Sequence, residues 1–527
     1  MQKGSRFYLL LVIILCLAGN ILAEPVSFPH RGFFELSLKV SDRIENSFTG
    51  VEFKVDFERP NGSKVSVDGF FDGDSTFKAR AYCDTVGIWR WRCSSNIEGL
   101  DAESGEFEVE ESNLPGKLQL HEKDSRQFAY DNGQWFLHIG DTGYRYVTQT
   151  EPMWKEYIDQ AAQMGVTKVR TWFCQARSDV QILFSNGRQE LNLEYWQEID
   201  KRLQYALERY PHIIFQLIPY GEDTEELRRY ENDDEAAKLI GKYAQARFSA
   251  FPNIHWCISN DREIVPEGEL TGSKVLKRTI DKIGKDMAAR EPWGTLLTNH
   301  QSRFKGYDFV DSEWSDIMTL EDVDQTDGRI FKEYYDKREE PMVLDEDRYE
   351  HWKKPKHARY FFRRLMWASL LSGGHATYGG LKTYEPYDGD LAGVQGYYDA
   401  VADGKLEHGG DDVVHIHKFF KDSGLTLVGM IPDDKMVGDE PDKYKCIHNT
   451  HTYIVYLANP NNVQPGEANV SQMKPSVSIT LPEGTFSTQW FNPRNGQWTA
   501  GDNVSGVEQR LTAPDSGDWV LISRSCK

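Results

Sequence analysis

Beyond its first residues the chain has no apolar run near the roughly 20 residues that a bilayer span requires, so no membrane span is expected. The single apolar stretch, Phe7 to Leu22, follows Lys3 and Arg6 and precedes Ala23. A basic start, a short apolar run and a small residue at its end predict a secretory signal over residues 1–23, hence a secreted or periplasmic protein. Cys16 sits inside that run behind Leu15, which argues against lipoprotein cleavage. Positive charge is outnumbered, with 61 Lys and Arg against 82 Asp and Glu. The formal net charge is −21, and nucleic-acid binding depends on Lys and Arg neutralising phosphates, so no nucleic-acid partner is expected. No glycine-rich loop follows the first strand of the central region, which removes the usual dinucleotide signature. There is no HExxH motif and no HxH at a strand end, so neither a cofactor nor a metal is expected.

Cysteine is sparse as well, with 7 in 527 residues, too few for a disulfide framework. Cys83 and Cys93 lie in RAYCDTVGIWRWRC, where Asp84 to Gly87 reads as a hairpin turn. In that hairpin Cys83 pairs near Ile88, and Cys93 falls beyond the roughly 7 Å that a disulfide can bridge. Cys446 and Cys526 remain as possible partners, with nothing local to decide between bonded and free.

A chain this long exceeds the size at which one core stops growing, and three patterns divide it. Residues 24–115 alternate with period two, as in Leu36, Leu38, Val40 and Val51, Phe53, Val55, Phe57, which predicts an antiparallel sandwich. Residues 116–425 alternate strand and helix. The strands read WFLHIGD (135–141), KVRTWFC (168–174), IIFQLIPYG (213–221), NIHWCISND (253–261), TLLTNH (295–300), DIMTLED (316–322), PMVLDE (341–346) and HATYGG (375–380). Helical periods lie between them, and the repeat predicts an α/β fold, a (β/α)8 barrel, with an open doubly wound sheet as runner-up. Residues 426–527 return to strands, as in TYIVYLA and DWVLIS, and predict a second sandwich.

Function is expected where barrel strands end. Asp261 closes WCISND and Glu346 stands in PMVLDEDRYE, 85 residues later. That gap is about three βα units, the step from strand 4 to strand 7. Two carboxyl groups flanking one sugar are what glycosidic cleavage needs. Asp261 is therefore the expected general acid/base, with Glu263 as rival, and Glu346 the expected nucleophile, with Asp347 as rival. Asn260 is placed to hold the hydroxyl beside the scissile bond, and Arg170 to keep Glu346 anionic.

At this point the sequence resembles a family. FLHIGDTGY, WCISND and VLDEDRYE are similar to segments of the apiosidase-like glycoside hydrolases, within the wider clan that places acid and nucleophile after strands 4 and 7. The front sandwich resembles the domain often fused to them. WFNPRNGQW and APDSGDWVLI resemble their C-terminal collagen-binding-like sandwich. The resemblance implies a retaining mechanism and assigns Asp261 and Glu346 by position. The LDEDRYE segment departs from the glycine-containing NGE pattern usual in the clan, which leaves the substrate open.

Further candidates for the carbohydrate site are His300, Asp141, Tyr378 and His375, with Trp172 and Trp314 as sugar platforms or core residues. Arg145, Arg177, Arg262, Arg303 and Arg348 each follow a strand. Together they would form a positive mouth for an anionic polysaccharide, or each would pair with a neighbouring acid. The expected function is hydrolysis of a plant or algal polysaccharide or its oligosaccharides. The alternatives are an inactive carbohydrate-binding protein and a metallohydrolase using Asp141 and His300. The oligomeric state is left open.

Overall fold

The computed structural model describes residues 26–41, 44–174, 180–303, 305–349, 357–379, 409–459 and 473–526. The predicted signal segment therefore lies outside the described residues.

The centre is a parallel barrel whose strands are β1 (Gly140–Thr142), β2 (Lys168–Trp172), β3 (Ile214–Ile218), β4 (Ile254–Cys257), β5 (Leu297–Thr298), β6 (Met318–Glu321), β7 (Met342–Glu346) and β8 (His375–Tyr378). They pair in sequence order, with β1 against β8. Between β5 and β6 no ladder runs, but Asp316 N donates to Leu297 O at 2.9 Å and Thr298 Oγ1 to Ile317 O at 2.7 Å, so the sheet is nearly closed. The strands are shorter than the sequence pattern suggests, because the residues after them turn into the mouth loops. WF of the first predicted strand belongs elsewhere. Trp135–Phe136 pairs with Asp124–Tyr130, which pairs with Leu118–His121. Phe128 and Phe136 of this small sheet pack on Ile214, Ile317 and Val343, sealing the barrel's lower end.

Period two sorts each strand into lumen and helix layer. On β2, Val169 joins the outer core, while Lys168 and Arg170 point to Asp345 inside. Above the seal lies a buried polar layer of His138, Lys168, Gln216, His255, Asp345 and Thr377. A carboxylate costs too much to bury alone. Lys168 Nζ and Thr377 Oγ1 both bond Asp345, and Arg170 lies 3.4 Å away.

The N-terminal sandwich packs a five-stranded sheet on a three-stranded one. Phe34 and Phe107 stack at 3.9 Å in its core. The predicted hairpin across Asp84 to Gly87 does not form. Thr76–Tyr82 pairs in the smaller sheet and Gly87–Ser95 in the larger, so the turn crosses between sheets. Buried Arg80, held by Glu35 of the neighbouring strand at 2.6 Å, ties this domain to the barrel through Asp200 at 2.7 Å.

The C-terminal domain also has two sheets, and both faces of its larger one are covered. Tyr453, Val455 and Leu457 enter its own core, whereas Ile454 and Tyr456 face the barrel helices. Arg363 of helix Ala358–Leu371 donates to Asp518 at 2.7 Å across that seam. Cys446 is buried and Cys526 exposed, and neither is bonded; Cys83 and Cys93 are free too. Among the described residues no helix is long and apolar enough to cross a membrane.

Candidate active site

A one-residue irregularity builds the centre of the site. On β7, Val343 points down into the barrel seal and Leu344 outward into the helix layer. Asp345 then points inward, and simple alternation would turn Glu346 away. The β6–β7 register slips between Leu320 and Glu321, so that Leu320 faces Leu344 but Glu321 faces Glu346. The extra residue is a bulge, a device that re-aims side chains. It leaves Asp345 in the lumen and brings Glu346 to the mouth.

Glu346 is buried and well furnished with donors. Tyr144 Oη donates to its Oε2 at 2.7 Å, and Arg170 Nη2 lies 3.4 Å from the same oxygen. Arg303 Nη2 is 3.6 Å from its other oxygen. Arg170 also donates to Asn260 Oδ1 at 2.6 Å and to Tyr144 Oη at 2.8 Å. Tyr144 in turn lies flat on Trp172, with ring centroids 4.0 Å apart. A rigid aromatic and guanidinium floor therefore fixes the Glu346 carboxylate.

Asp261 follows β4 in a left-handed conformation, φ 48°, which Asp tolerates better than most residues. Its backbone N–H donates to His300 Nδ1 at 3.2 Å. Burial, then the Glu346 charge, push its carboxyl up to about 6. Glu321, at the end of β6, takes Arg303 Nε on Oε1 at 2.6 Å. Burial and the charges of Glu346 and Asp261 raise Glu321 well above the usual carboxylate range. A fourth acid, Glu222, accepts from Asn260 Nδ2 at 3.2 Å and is pushed up to about 7, chiefly by burial. Carboxylates packed this closely cannot all be ionised, so the mouth retains protons at neutral pH.

The structure thus brings Asp261, Glu346, Asn260, Arg170 and His300 together. It places three expected binding residues elsewhere. Asp141 lies on the outer face of β1 and accepts from Tyr157 of helix Glu151–Gln163 at 2.9 Å. Tyr378 is on the outer face of β8, edge-on to Phe362 at 4.7 Å. Strand parity turns both toward the helix layer rather than the lumen. Arg348 donates to Asp324 at 2.7 Å. The rivals fall away similarly. Asp347 braces a loop by accepting the N–H groups of Asp324 and Gln325 at 2.8 and 3.0 Å, and Glu263 pairs with Lys305 at 3.3 Å. His375 is buried in the lower barrel against Phe128, and Trp314 packs on Phe309.

Three of the five strand-end arginines pair with protein acids, the alternative to a positive mouth. Arg303 is committed to Glu321, Arg348 to Asp324, and Arg262 lies 3.6 Å from Glu222 while donating to Thr224 Oγ1 at 2.7 Å. Arg177 lies outside the described residues. Sequence reading did not single out Glu222, Glu321 or Tyr144 as site residues. Glu222 was masked by Asp223 beside it, which caps helix Thr224–Glu231 by accepting from Glu226 N at 2.9 Å.

His300, Glu321 and Glu346 offer ligand atoms within 4.8 Å of one another. The guanidinium of Arg303 stands 2.6 Å from Glu321 and 3.6 Å from Glu346, where its positive charge would repel a divalent cation, so the donor set does not fit a metal. The HIH of residues 415–417 lies on helix Val414–Ser423, and His417 Nε2 is 2.6 Å from Gly165 O.

Residues 122–422 match the family described as Apiosidase-like, catalytic domain, and residues 31–96 match a domain of unknown function, DUF5060. The chain belongs to the Apiosidase-like family. Solved structures share its fold. One, described as "a putative glycoside hydrolase" from Bacteroides vulgatus, is 16% identical, with TM-score 0.70, over 95% of this chain and 100% of that one. A glycoside hydrolase family 5 protein from Bacteroides vulgatus, also 16% identical, has TM-score 0.61 over 79% and 95% of the two chains. A third, titled glycoside hydrolase, is 15% identical with TM-score 0.60 over 79% and 98%. No curated protein matches. The apiosidase-like barrel and its glycoside hydrolase-like fold place the Asp261–Glu346 cluster where β4 and β7 end.

Proposed function

We propose that the chain is an exported, retaining glycoside hydrolase that cleaves a plant or algal polysaccharide or its oligosaccharides. The observation that carries this reading is the meeting of Asp261 and Glu346 at one end of the barrel, with Asp261 raised to about 6 and Glu346 held by Tyr144 and two arginines. An acid that keeps its proton near neutrality can protonate a departing sugar oxygen. A fixed carboxylate beside it can attack the anomeric carbon.

In the first step Glu346 forms a bond to the anomeric carbon while the bond to the leaving oxygen breaks and Asp261 supplies its proton. In the second, Asp261 takes a proton from water, whose oxygen displaces Glu346. Configuration is inverted twice and so retained. Asn260, anchored by Arg170 at 2.6 Å and by Glu222 at 3.2 Å, is positioned to bond the neighbouring hydroxyl. Pairing of Arg262, Arg303 and Arg348 with protein acids favours a substrate read by its hydroxyl groups over one read by its charge. Export rests on the apolar segment Phe7 to Leu22. The test is a panel of plant and algal polysaccharides given to wild type and Glu346→Gln. Sugar release by wild type alone supports the proposal, and equal release by both overturns it. Binding without release by wild type would favour an inactive carbohydrate-binding protein.

A further inference from the structure

His300 is a site residue to which the two-carboxylate mechanism gives no task, and the backbone beside it shows what it holds. Beyond the barrel strands, the segment after β4 still runs along the segment after β5. Asn299 Oδ1 accepts from Ser259 N at 3.2 Å, and His300 N donates to Ser259 O at 3.2 Å. The segments meet again where Arg262 bridges Gln301 and Ser302 N donates to Arg262 O at 3.0 Å. Between these contacts Asn260 and Asp261 leave the ladder. Asn260 N turns to Gly221 O at 2.8 Å, and Asp261 takes its left-handed conformation. The Asp261 N–H then donates not to a carbonyl but to an imidazole, His300 Nδ1, at 3.2 Å.

We propose that His300 is a positioning residue for the general acid. Its ring stands in for the ladder hydrogen bond that the excursion at Asp261 forfeits, and so sets the direction in which the Asp261 carboxyl enters the mouth. The catalytic consequence rests on the hydrolase reading above; the anchor itself does not. The anchor acts on one peptide plane. The N–H end of that plane is held by His300 Nδ1, and its carbonyl end, Asn260 O, accepts from Arg262 Nε at 2.8 Å. With the plane gripped at both ends and φ of Asp261 at 48°, the Asp261 side chain leaves the backbone on a fixed heading. Heading matters there, because misplacing a reacting group by about 1 Å can cost about 100-fold in rate.

The same geometry fixes the tautomer. A backbone N–H can only donate, so Nδ1 carries no proton and the ring proton sits on Nε2. Nε2 lies 4.0 Å from Glu321 Oε2. Burial, then the Arg170 charge, hold the imidazole well below its ordinary range, which keeps the ring neutral and the anchor intact. The ring is carried by a braced stretch of chain, since Asn299 beside it also takes Ser259 Oγ at 2.8 Å. Because its side chain is fully buried, His300 serves the reaction through Asp261 rather than by touching the sugar.

Two near-isosteric variants of the full-length protein separate the ring nitrogens, each checked for unchanged melting. His300→Asn keeps an acceptor oxygen where Nδ1 stands, and His300→Gln keeps a polar group only where Nε2 stands. Both are assayed on two glycosides of the sugar released in the panel above. One carries a dinitrophenyl leaving group that needs no protonation, the other a methoxide that does. For His300→Gln, kcat/KM should fall about 100-fold or more on the methyl glycoside and less than about threefold on the dinitrophenyl one, since general acid catalysis contributes about 10²–10⁴-fold. On the methyl glycoside His300→Asn should recover at least about tenfold of that loss. Equal losses on the two glycosides, or no recovery in His300→Asn, overturns the proposal. The anchor is also read in wild type without any substrate. Long-range proton–nitrogen NMR of histidine-labelled protein, with the His300 signal identified by its absence in His300→Asn, should show Nδ1 bare and Nε2 protonated from about pH 5 to 8. A proton on Nδ1 overturns the anchor. The expected tautomer, in a protein that cleaves no glycoside, would leave the anchor standing and remove the proposed hydrolase.

Discussion

Two carboxylates adjacent in sequence show how one strand serves two purposes. Asp345 lies in the barrel's interior layer and Glu346 in its mouth, yet both are nearly inaccessible to water. Burial alone would raise Asp345, but Lys168 and Arg170 pull it far below the usual range. The interior is thus charge-balanced. One layer up, Asp261, Glu321 and Glu222 are all raised, because burial and mutual repulsion outweigh the nearby arginines. The difference separates groups that hold the barrel together from groups held ready at a cost in stability.

The largest expected effect is on turnover. Glu346→Gln keeps the shape and removes the nucleophile, so kcat should fall by about four orders of magnitude or more, while thermal melting stays cooperative. Steady-state kinetics on the first accepted substrate checks it. Asp261→Asn should differ from it, forming the glycosyl-enzyme with an activated leaving group and then stalling, a burst visible in pre-steady-state kinetics.

In the interior the balance should break the other way. Lys168→Met leaves Asp345 short of its closest cation, and removing one partner of a buried pair costs about 3–5 kcal/mol. Urea denaturation should report that loss, and any folded fraction should keep its pH profile.

The third contrast is in pH. Acids whose folded values are raised contribute stability that is fully present below their unfolded values near 4. That contribution is lost as pH rises through the folded values, here about 6 for Asp261 and about 7 for Glu222. Asp345 has the opposite sign. Its contribution is present above its unfolded value and is lost only in strong acid. Melting temperature of wild type should therefore decline between about pH 5 and 8, and Glu346→Gln, with one repelling charge fewer, should flatten that decline.

Much of this was legible in the sequence, for identifiable reasons. Strand order and the Asp261–Glu346 spacing follow from the alternation of apolar runs and amphipathic helices, whose lengths the barrel fixes. Parity was harder to read. On β1 and β8 polar residues occupy both faces, so nothing in GDT or HATY tells which side chain enters the lumen, and Asp141 and Tyr378 were misplaced. Arg348 and Arg262 found acids from other loops, Asp324 and Glu222, which no local pattern connects. The bulge that frees Glu346 depends on how β6 and β7 register, a property of two segments rather than one.

The smallest expected effect sharpens the point about the mouth. Arg348→Ala removes a partly exposed pair with Asp324, the kind worth about 1 kcal/mol or less. It should change kcat/KM less than about threefold, with the same small change on neutral and anionic oligosaccharides. A large loss confined to anionic substrates would restore the charge-reading mouth.

The central claim is that Glu346 attacks and Asp261 acts as acid and then base, and the anomeric configuration of the first-released sugar tests it most directly. Time-resolved proton NMR, begun before mutarotation equilibrates the product, should find the substrate's configuration retained. First-formed product of opposite configuration would contradict it, because a single displacement by water leaves no role for Glu346 as nucleophile.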